Sequence, residues 1–522
     1  MSFTAHDELQ LFWLLAGFLL LLVAAARGRL PVPMLLVCGG LLLGFVPGLP
    51  RVQLAPDIVL VAILPPLLYS AAFFTGLRDL RQNLRPISLL AIGLVIATTC
   101  GVAVVAHAAI PQLSWGGSFT LGAILSPTDS LAATEVLSRL SLPRRIVSIL
   151  EGESLVNDGM ALVVYKFAVA AALTGAFSFW HAAWRLPVNV IGGVGVGLAV
   201  AYVVRQVRKR VDDTPTEVAI ALLSGYLAYL PATAIGVSGV LAAVTIGVYM
   251  GWYTPELTTV QTRLSGNAFW EILVFVVNAL LFALIGLQLH GISSRLDVTW
   301  TLIAQCAAVI AAVVAVRFIA APLITYVPRF LFPRVRARDP YPPWQYPAVI
   351  AWAGVRGAVS LAAALALPID VPHRELIVFI TFAVVLFSLI GPVVTLPGLV
   401  AVLGLEDDGG AEREDAKARI RAAEAALARL EELASEDWVH PETANRLRGQ
   451  YRFRATRFQA RYDGMDDDGV EEQSARFQRL RRELLDAERD AVIALRNDGT
   501  ITEEVMQRVQ RDIDLEASRL DY

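Results

Sequence analysis

Thirteen apolar segments follow one another through the first 404 residues of this chain of 522. Each segment is about 17 to 28 residues long, and about 20 apolar residues in a helix cross the hydrocarbon core of a bilayer. Inside a bilayer the backbone polar groups have no water to bond, so a helix satisfies them within each segment. We therefore expect an all-α polytopic membrane protein of about 13 transmembrane helices. The predicted spans are residues 9–26, 31–49, 57–76, 87–110, 118–138, 146–173, 187–204, 216–232, 236–252, 268–289, 299–325, 346–367 and 374–400.

The basic residues between these segments predict the orientation of the chain. Cytoplasmic loops of membrane proteins are enriched in Lys and Arg. With the N-terminus outside, the loops on the cytoplasmic side hold 17 basic residues and the opposite loops hold 4. We expect an odd number of spans, an outside N-terminus and a cytoplasmic C-terminus. No basic residue precedes the first apolar run and no small-residue cleavage pattern follows it, so the first span is expected to be retained.

The character of the chain changes after residue 404. Residues 1–404 carry a formal charge of +6, whereas residues 405–522 carry −9. Within the second part, residues 412–434 and 470–496 are rich in Ala, Leu, Arg and Glu with helical periodicity. We expect a transmembrane domain over 1–404 and a helical cytoplasmic tail over 405–522.

Two of the predicted spans are interrupted at corresponding positions. The fifth contains Leu-Ser-Pro-Thr-Asp-Ser at 125–130, and the twelfth contains Gly-Val-Arg-Gly at 354–357. If the spans divide into six, one linker span and six, both interruptions fall in the fifth member of a half. Matching interruptions of this kind indicate two inverted repeats with broken helices at the bilayer midplane. The candidate transport site is the place where the two broken helices meet.

The sixth predicted span carries the polar residues Glu151, Glu153, Ser154, Asn157 and Asp158. A charged residue at the centre of a bilayer costs about 2.5–3.5 kcal/mol on insertion scales, so such residues persist where a function or a partner holds them. On a helix, Ser154 and Asp158 share a face with Glu151, while Glu153 and Asn157 form the neighbouring stripe. One stripe can therefore face an ion site while the other stabilises it.

Asp158 and Asp129 are the candidate ligands of a monovalent metal cation. A carboxylate in a cavity of low dielectric constant can hold either a proton or a cation, but not both. The hydroxyls of Thr128 and Ser154, and carbonyls left free near Pro127, are hard oxygen ligands that suit such a cation. An alternative for Asp129 is that it caps a helix that starts after the interruption.

Further charged residues fall within the spans. Arg356 lies near the middle of the twelfth span and needs an acidic partner, for which Glu153 and Glu151 are the candidates. For Arg317 and Glu271, an ion pair that stabilises the fold and a group that lines a cavity both remain open.

Four motifs, in order, resemble the monovalent cation:proton antiporter-1 family of sodium/proton exchangers. The resemblance covers about residues 9–400. The motifs are Leu-Pro-Pro-Leu-Leu at 64–68, Ser-Pro-Thr-Asp-Ser at 126–130, Glu-Gly-Glu-Ser-Leu-Val-Asn-Asp-Gly at 151–159, and Gly-Val-Arg-Gly-Ala at 354–358.

This resemblance implies a dimeric elevator-type antiporter of a bacterial inner membrane, in which six core helices move against a dimerisation domain. It implies that Asp158 is the carboxylate shared by proton and cation, that Thr128, Asp129 and Ser154 are its neighbours, and that Glu153 and Arg356 form a stabilising ion pair. The Asn157-Asp158 form of the motif is associated in the family with electroneutral exchange. The chain departs from the family at Tyr69 and Ser70, where several members carry an acid.

The leading function is exchange of sodium, or of potassium or lithium, for protons by alternating access. We expect no cofactor and no nucleic-acid partner. The alternatives are a cation channel and an intramembrane aspartyl enzyme. A channel usually has a pore loop of carbonyls, which the sequence does not show. An aspartyl enzyme needs two acids that face each other across a substrate, whereas Thr128, Ser154 and Asn157 suit a cation site.

Overall fold

All regular structure in the described residues is helical. The computed structural model describes residues 13, 16–23, 27, 32–44, 58–129, 140, 142–175, 179–293, 299–405, 409–463 and 468–518. The helices are α1 (Val32–Gly44), α2 (Leu64–Phe74, after a π-helical stretch Ile58–Ile63), α3 (Leu77–Gln82), α4 (Leu84–Ala109), α5 (Trp115–Ile124), α6 (Arg144–Thr174), α7 (Phe179–Arg208), α8 (Thr214–Ala234), α9 (Gly239–Leu257), α10 (Val260–Ser293), α11 (Trp300–Leu331), α12 (Pro333–Arg338), α13 (Gln345–Trp352), α14 (Ala358–Leu365), α15 (Arg374–Val402), α16 (Gly410–Leu433), α17 (Pro441–Asp463), α18 (Asp468–Asn497) and α19 (Glu503–Ala517).

The chain forms a membrane protein of many helices. Within the described residues, seven helical segments are long and apolar enough to cross a bilayer, and two shorter apolar helices accompany them. The second to fourth and the sixth to thirteenth predicted spans each coincide with a helix or with a pair of shorter ones, and α5 covers the first part of the fifth. Half of the first predicted span lies outside the described residues. The count of thirteen and the inverted repeats stay predictions.

Contacts within the chain define two compact units, Met1–Asp407 and Asp408–Tyr522. The boundary falls close to the predicted division of 1–404 from 405–522. That the first part is the antiporter domain and the second a cytoplasmic tail stays a prediction.

The first unit contains two main groups of helices, and each group packs around its own apolar core. The larger core is built mainly from six predicted spans, α4, α5, α6, α11, α13 with α14, and α15. The smaller core joins α2, α7, α8, α9 and α10 around the fully buried Tyr69, whose ring packs against Trp270 at a centroid distance of 5.4 Å. The candidate site lies among the helices of the larger core.

A buried ion pair ties together three helices of the smaller core. Arg208, at the end of α7, donates to Glu217 Oε2 at 2.8 and 3.1 Å, and also donates to Thr254 Oγ1 at 3.1 Å. Both charged side chains are buried, so each compensates the desolvation of the other. The pair fixes the ends of α7 and α8 against α9.

The backbone is not helical at either predicted interruption. Helix α5 ends at Ile124, and residues 125–129 follow without helical structure. Residues 353–357 separate α13 from α14 in the same way. The two interruptions touch, because the Asp129 backbone N–H donates to the Val355 carbonyl at 2.7 Å. The rest of the fifth predicted span, residues 130–138, lies outside the described residues.

In the second unit, the described residues form four helices that pack in two consecutive pairs. Helix α16 packs on α17, where Arg448 donates to both oxygens of Glu431 at 2.7 and 2.9 Å. These hydrogen bonds lower the pKa of the Glu431 carboxyl. Helix α18 packs on α19 around Leu485 and Met506. Helices α16 and α18 match the predicted segments, whereas α17 and α19 were not predicted.

Candidate functional site

Asp158 lies in the middle of α6, with 7% of its surface exposed. Its Oδ1 atom is buried, and within the described part of the chain no hydrogen-bond donor reaches it. A buried carboxylate oxygen without a donor is costly unless a proton or a cation binds it. The position is therefore chemically suited to exchange one for the other.

Thr128 and two residues of α6 form a hydrogen-bonded cluster beside Asp158. The Asn157 amide nitrogen donates to Thr128 Oγ1 at 2.6 Å, and the Asn157 amide oxygen accepts from the Thr128 backbone N–H at 3.4 Å. Thr128 Oγ1 also lies 3.1 Å from Ser154 Oγ, with either hydroxyl able to donate. Both the nitrogen and the oxygen of the Asn157 amide therefore form hydrogen bonds with Thr128. Asn157 fixes the interrupted backbone to α6.

Asp129 follows directly and joins the two interruptions. Its backbone is held by Val355, and its carboxylate lies against the backbone of Gly357 at the start of α14. The carboxylates of Asp129 and Asp158 are close enough for their charges to interact. The structure therefore brings Thr128, Asp129, Ser154, Asn157 and Asp158 together in one region.

The predicted ion pair between Glu153 and Arg356 is wrong, because Glu153 pairs with Arg317. Arg317 Nη1 lies 2.9 Å from Glu153 Oε1, and Nη2 donates to Oε2 at 3.2 Å. The exposed fraction is 0% for the Glu153 side chain and 3% for that of Arg317. Arg317 also donates to the carbonyls of Ile350 and Ala351 at 3.0 Å. Arg317 therefore stabilises both an acid of α6 and the C-terminal end of α13.

Arg356 is buried without a direct acidic partner among the described residues. Its Nε donates to the Leu125 carbonyl at 2.9 Å, and its Nη1 donates to the Gly354 carbonyl. Leu125 directly follows α5, so the guanidinium lies at the C-terminal end of that helix. Unpaired carbonyls and the negative end of the helix dipole favour a cation there. These carbonyls take the place of the acid that the sequence interpretation required.

Arg317 and Glu271, for which the sequence left two roles open, take different roles in the structure. Arg317 belongs to an ion pair that stabilises the fold, and Glu271 lines a cavity of about 500 Å³ between α2, α6 and α10. Glu151, the second candidate partner of Arg356, lines the same cavity, as do Leu155 and Ser70. Leu155 is three residues before Asp158 on α6, so this lining residue lies less than one helical turn along the helix from Asp158.

Tyr69 and Ser70 occupy the position where the resemblance predicts an acid in several members. The Ser70 hydroxyl donates to the Leu67 carbonyl at 2.9 Å within its own helix. Tyr69 is fully buried in the smaller core. Neither side chain supplies a charge to the candidate site.

One protein-family model matches most of this chain. The model described as sodium/hydrogen exchanger, transmembrane, matches residues 14–401. The chain belongs to the sodium/hydrogen exchanger family. An uncharacterized Na⁺/H⁺ exchanger of Mycobacterium tuberculosis is 34% identical to this exchanger over 514 residues, which are 95% of this chain and 93% of that protein. A sodium, potassium, lithium and rubidium/H⁺ antiporter of Bacillus pumilus is 32% identical, over 70% of this chain and 57% of that protein.

The solved structures agree on the fold of the exchanger. The sodium proton antiporter MjNhaP1 of Methanocaldococcus jannaschii, at pH 8, superposes with a TM-score of 0.61 and 19% identity. The match covers 76% of this chain and 99% of that one. The resemblance to the monovalent cation:proton antiporter-1 family is confirmed. The exchanger is a multi-pass cation/proton antiporter and not an enzyme, so the intramembrane aspartyl enzyme is wrong as an alternative.

Proposed function

We propose that the chain exchanges sodium for protons at Asp158, by alternating access and without net charge movement. The observation that carries this proposal is the buried Asp158 Oδ1, which no donor in the described part of the chain reaches. A proton or a cation at that oxygen removes the cost of burying the charge, and each excludes the other. Competition for one carboxylate couples the two fluxes in opposite directions.

We propose Asp129, Thr128 and Ser154 as the neighbours of the bound cation, with Asn157 as the residue that fixes Thr128. The hydroxyl cluster and the second carboxylate supply oxygen atoms, which small hard cations prefer. Sodium is the proposed substrate, since the matching family model carries the name sodium/hydrogen exchanger. Potassium and lithium are the alternatives, because the Bacillus pumilus relative is named for them as well.

The charge at the site supports the proposal of electroneutral exchange. Asn157 is neutral and both ends of its amide bond to Thr128, so it adds no second titrating group beside Asp158. A protonated carboxyl and a carboxylate with bound sodium have the same net charge. If the site crosses the membrane only in these two forms, one proton is exchanged for one cation and no charge moves.

The cavity lined by Glu151 and Glu271 is the proposed cytoplasmic route to Asp158. Its two carboxylates favour cations, and charged clefts raise the local concentration of counter-ions. The distribution of basic loop residues supports the same orientation, with the N-terminus outside and the tail in the cytoplasm. The exchanger is proposed to act as a homodimer, as the family resemblance implies.

The test uses proteoliposomes that contain the purified exchanger and a pH-sensitive dye inside. An acid interior is imposed, and sodium, potassium or lithium is then added outside with the membrane voltage either free or clamped. We expect alkalinisation of the interior that one cation drives and that clamping does not change. Asp158→Asn should abolish it, while Asp370→Asn, the same change at an exposed loop carboxylate, should leave it intact.

Exchange that persists in folded Asp158→Asn protein would refute the assignment of the carboxylate. Exchange that responds to the clamp would refute electroneutrality. Cation flux without proton movement would favour the channel.

A further inference from the structure

Gly357 lies where the two interrupted spans meet, directly before the first residue of α14. A Cβ atom placed on Gly357 would lie 1.8 Å from Asp129 Oδ2 and 2.5 Å from Asp129 Cγ. Real Cβ atoms do not approach other atoms so closely, so the carboxylate would have to move. Asp129 Cβ would also lie 2.5 Å from the added atom, so rotation of the Asp129 side chain alone would not relieve the contact. The carboxylate and the backbone that Val355 holds by a 2.7 Å hydrogen bond would both have to shift.

The position does not need the left-handed backbone conformation that favours glycine. Gly357 has a negative φ of −143°. What Gly357 provides is space for the Asp129 carboxylate.

Gly354, in the same motif, provides space for the positively charged guanidinium of Arg317. A Cβ atom on Gly354 would lie 2.0 Å from Arg317 Nε and 2.1 Å from its Cζ. Arg317 belongs to the buried ion pair with Glu153, outside the group of proposed cation neighbours. The two glycines, three residues apart, thus form a matched pair for an experiment.

We propose that Gly357 is a positioning residue for cation binding. Because it has no side chain, it leaves the space in which the Asp129 carboxylate holds its position relative to Asp158. This inference rests on the proposed roles of those two aspartates. A unit charge that shifts by about 1 Å at a separation of about 4–5 Å changes the affinity for a cation roughly threefold at an effective dielectric constant of about 20. A mispositioned Asp129 therefore weakens binding while Asp158 still exchanges its proton.

The experiment measures the sodium dependence of exchange in proteoliposomes for Gly357→Ala and Gly354→Ala. Gly357→Ala should raise the apparent KM for sodium about threefold or more, with kcat close to that of the unaltered protein. Gly354→Ala should lower yield and thermal stability through Arg317, with the apparent KM unchanged in the protein that folds. A Gly357→Ala protein with lower yield and lower kcat but an unaltered KM overturns the inference.

Asp129→Asn separates this inference from the function on which it rests. An unaltered KM in Asp129→Asn refutes the role of Asp129 in cation binding. A raised KM in Asp129→Asn together with an unaltered KM in Gly357→Ala keeps that role and refutes the role of Gly357.

A double variant tests whether the effect passes through the carboxylate. Adding Gly357→Ala to Asp129→Gly should change sodium binding no further, because the side chain that clashes is gone. The same threefold increase in both backgrounds overturns the inference. Stabilisation of the protein against heat by sodium reports binding where turnover is too slow. If Gly357→Ala does not fold, the double variant should fold, and its failure to do so also counts against the inference.

Discussion

Removing Arg317 should destabilise the exchanger more than removing Arg356. Arg317→Ala leaves Glu153 with 0% of its side chain exposed and without its ion-pair partner. Breaking a buried ion pair from one side costs about 3–5 kcal/mol, because the remaining charge is uncompensated. Arg356→Ala removes hydrogen bonds to the carbonyls of Leu125 and Gly354 but leaves no buried charge behind. We expect a cost of about 1.5–3 kcal/mol for that change.

Thermal unfolding of the purified variants, with sodium and pH held constant, measures this order. A third variant, Glu153→Gln combined with Arg317→Met, removes both charges and should be more stable than Arg317→Ala alone. Arg356→Ala protein that unfolds at a lower temperature than Arg317→Ala would refute the reasoning. The reasoning would also be refuted if the loss of stability in the double variant equals the sum of the losses in Glu153→Gln alone and Arg317→Met alone, because the two charges would then not be coupled.

Three further changes should have smaller and more specific effects. Asn157→Ala removes both hydrogen bonds to Thr128 and should cost about 1–3 kcal/mol in thermal unfolding, with a raised apparent KM for sodium. Glu271→Gln should raise the apparent KM for sodium at low ionic strength, and the difference should vanish in high salt if the carboxylate acts through its field. The pKa of Glu431 is lowered by Arg448, so this pair stabilises α16 on α17 above the unfolded pKa of a Glu and loses that effect as the pH falls through the lower folded pKa. Hydrogen exchange in the full chain should show α16 and α17 opening more readily in acid, and Arg448→Gln should remove most of that pH dependence.

The interrupted helices were predictable because their signals are local. Pro127 removes a backbone donor and Gly354 favours a break, and both can be read within a few residues. The cluster at Ser154, Asn157 and Asp158 was visible for the same reason, since helical spacing places its members on two adjacent stripes.

The partners of the arginines were not predictable in this way. Arg317 and Glu153 are far apart in the sequence, and their contact depends on how α11 packs against α6. The acceptor of Arg356 at Leu125 is a backbone carbonyl, which no residue type reveals. The sequence did contain one signal, since Arg317 is a lone basic residue deep within an apolar span and had to find some partner. Helix α17 was missed because six Arg residues are interspersed among its apolar residues and obscure the helical periodicity.

The bond between the Asp129 N–H and the Val355 carbonyl limits how the molecule can change shape. Together with the Arg356 contact to Leu125, it joins the two stretches of backbone that interrupt the helices. Bending at either interruption would break these links and leave buried polar groups unsatisfied. A conformational change that carries Asp158 from one side of the membrane to the other is therefore least costly when both broken helices travel together as one rigid body. In the proposed alternating-access exchange, the surfaces that slide would then lie at the outer boundary of the larger core, away from the proposed ion site.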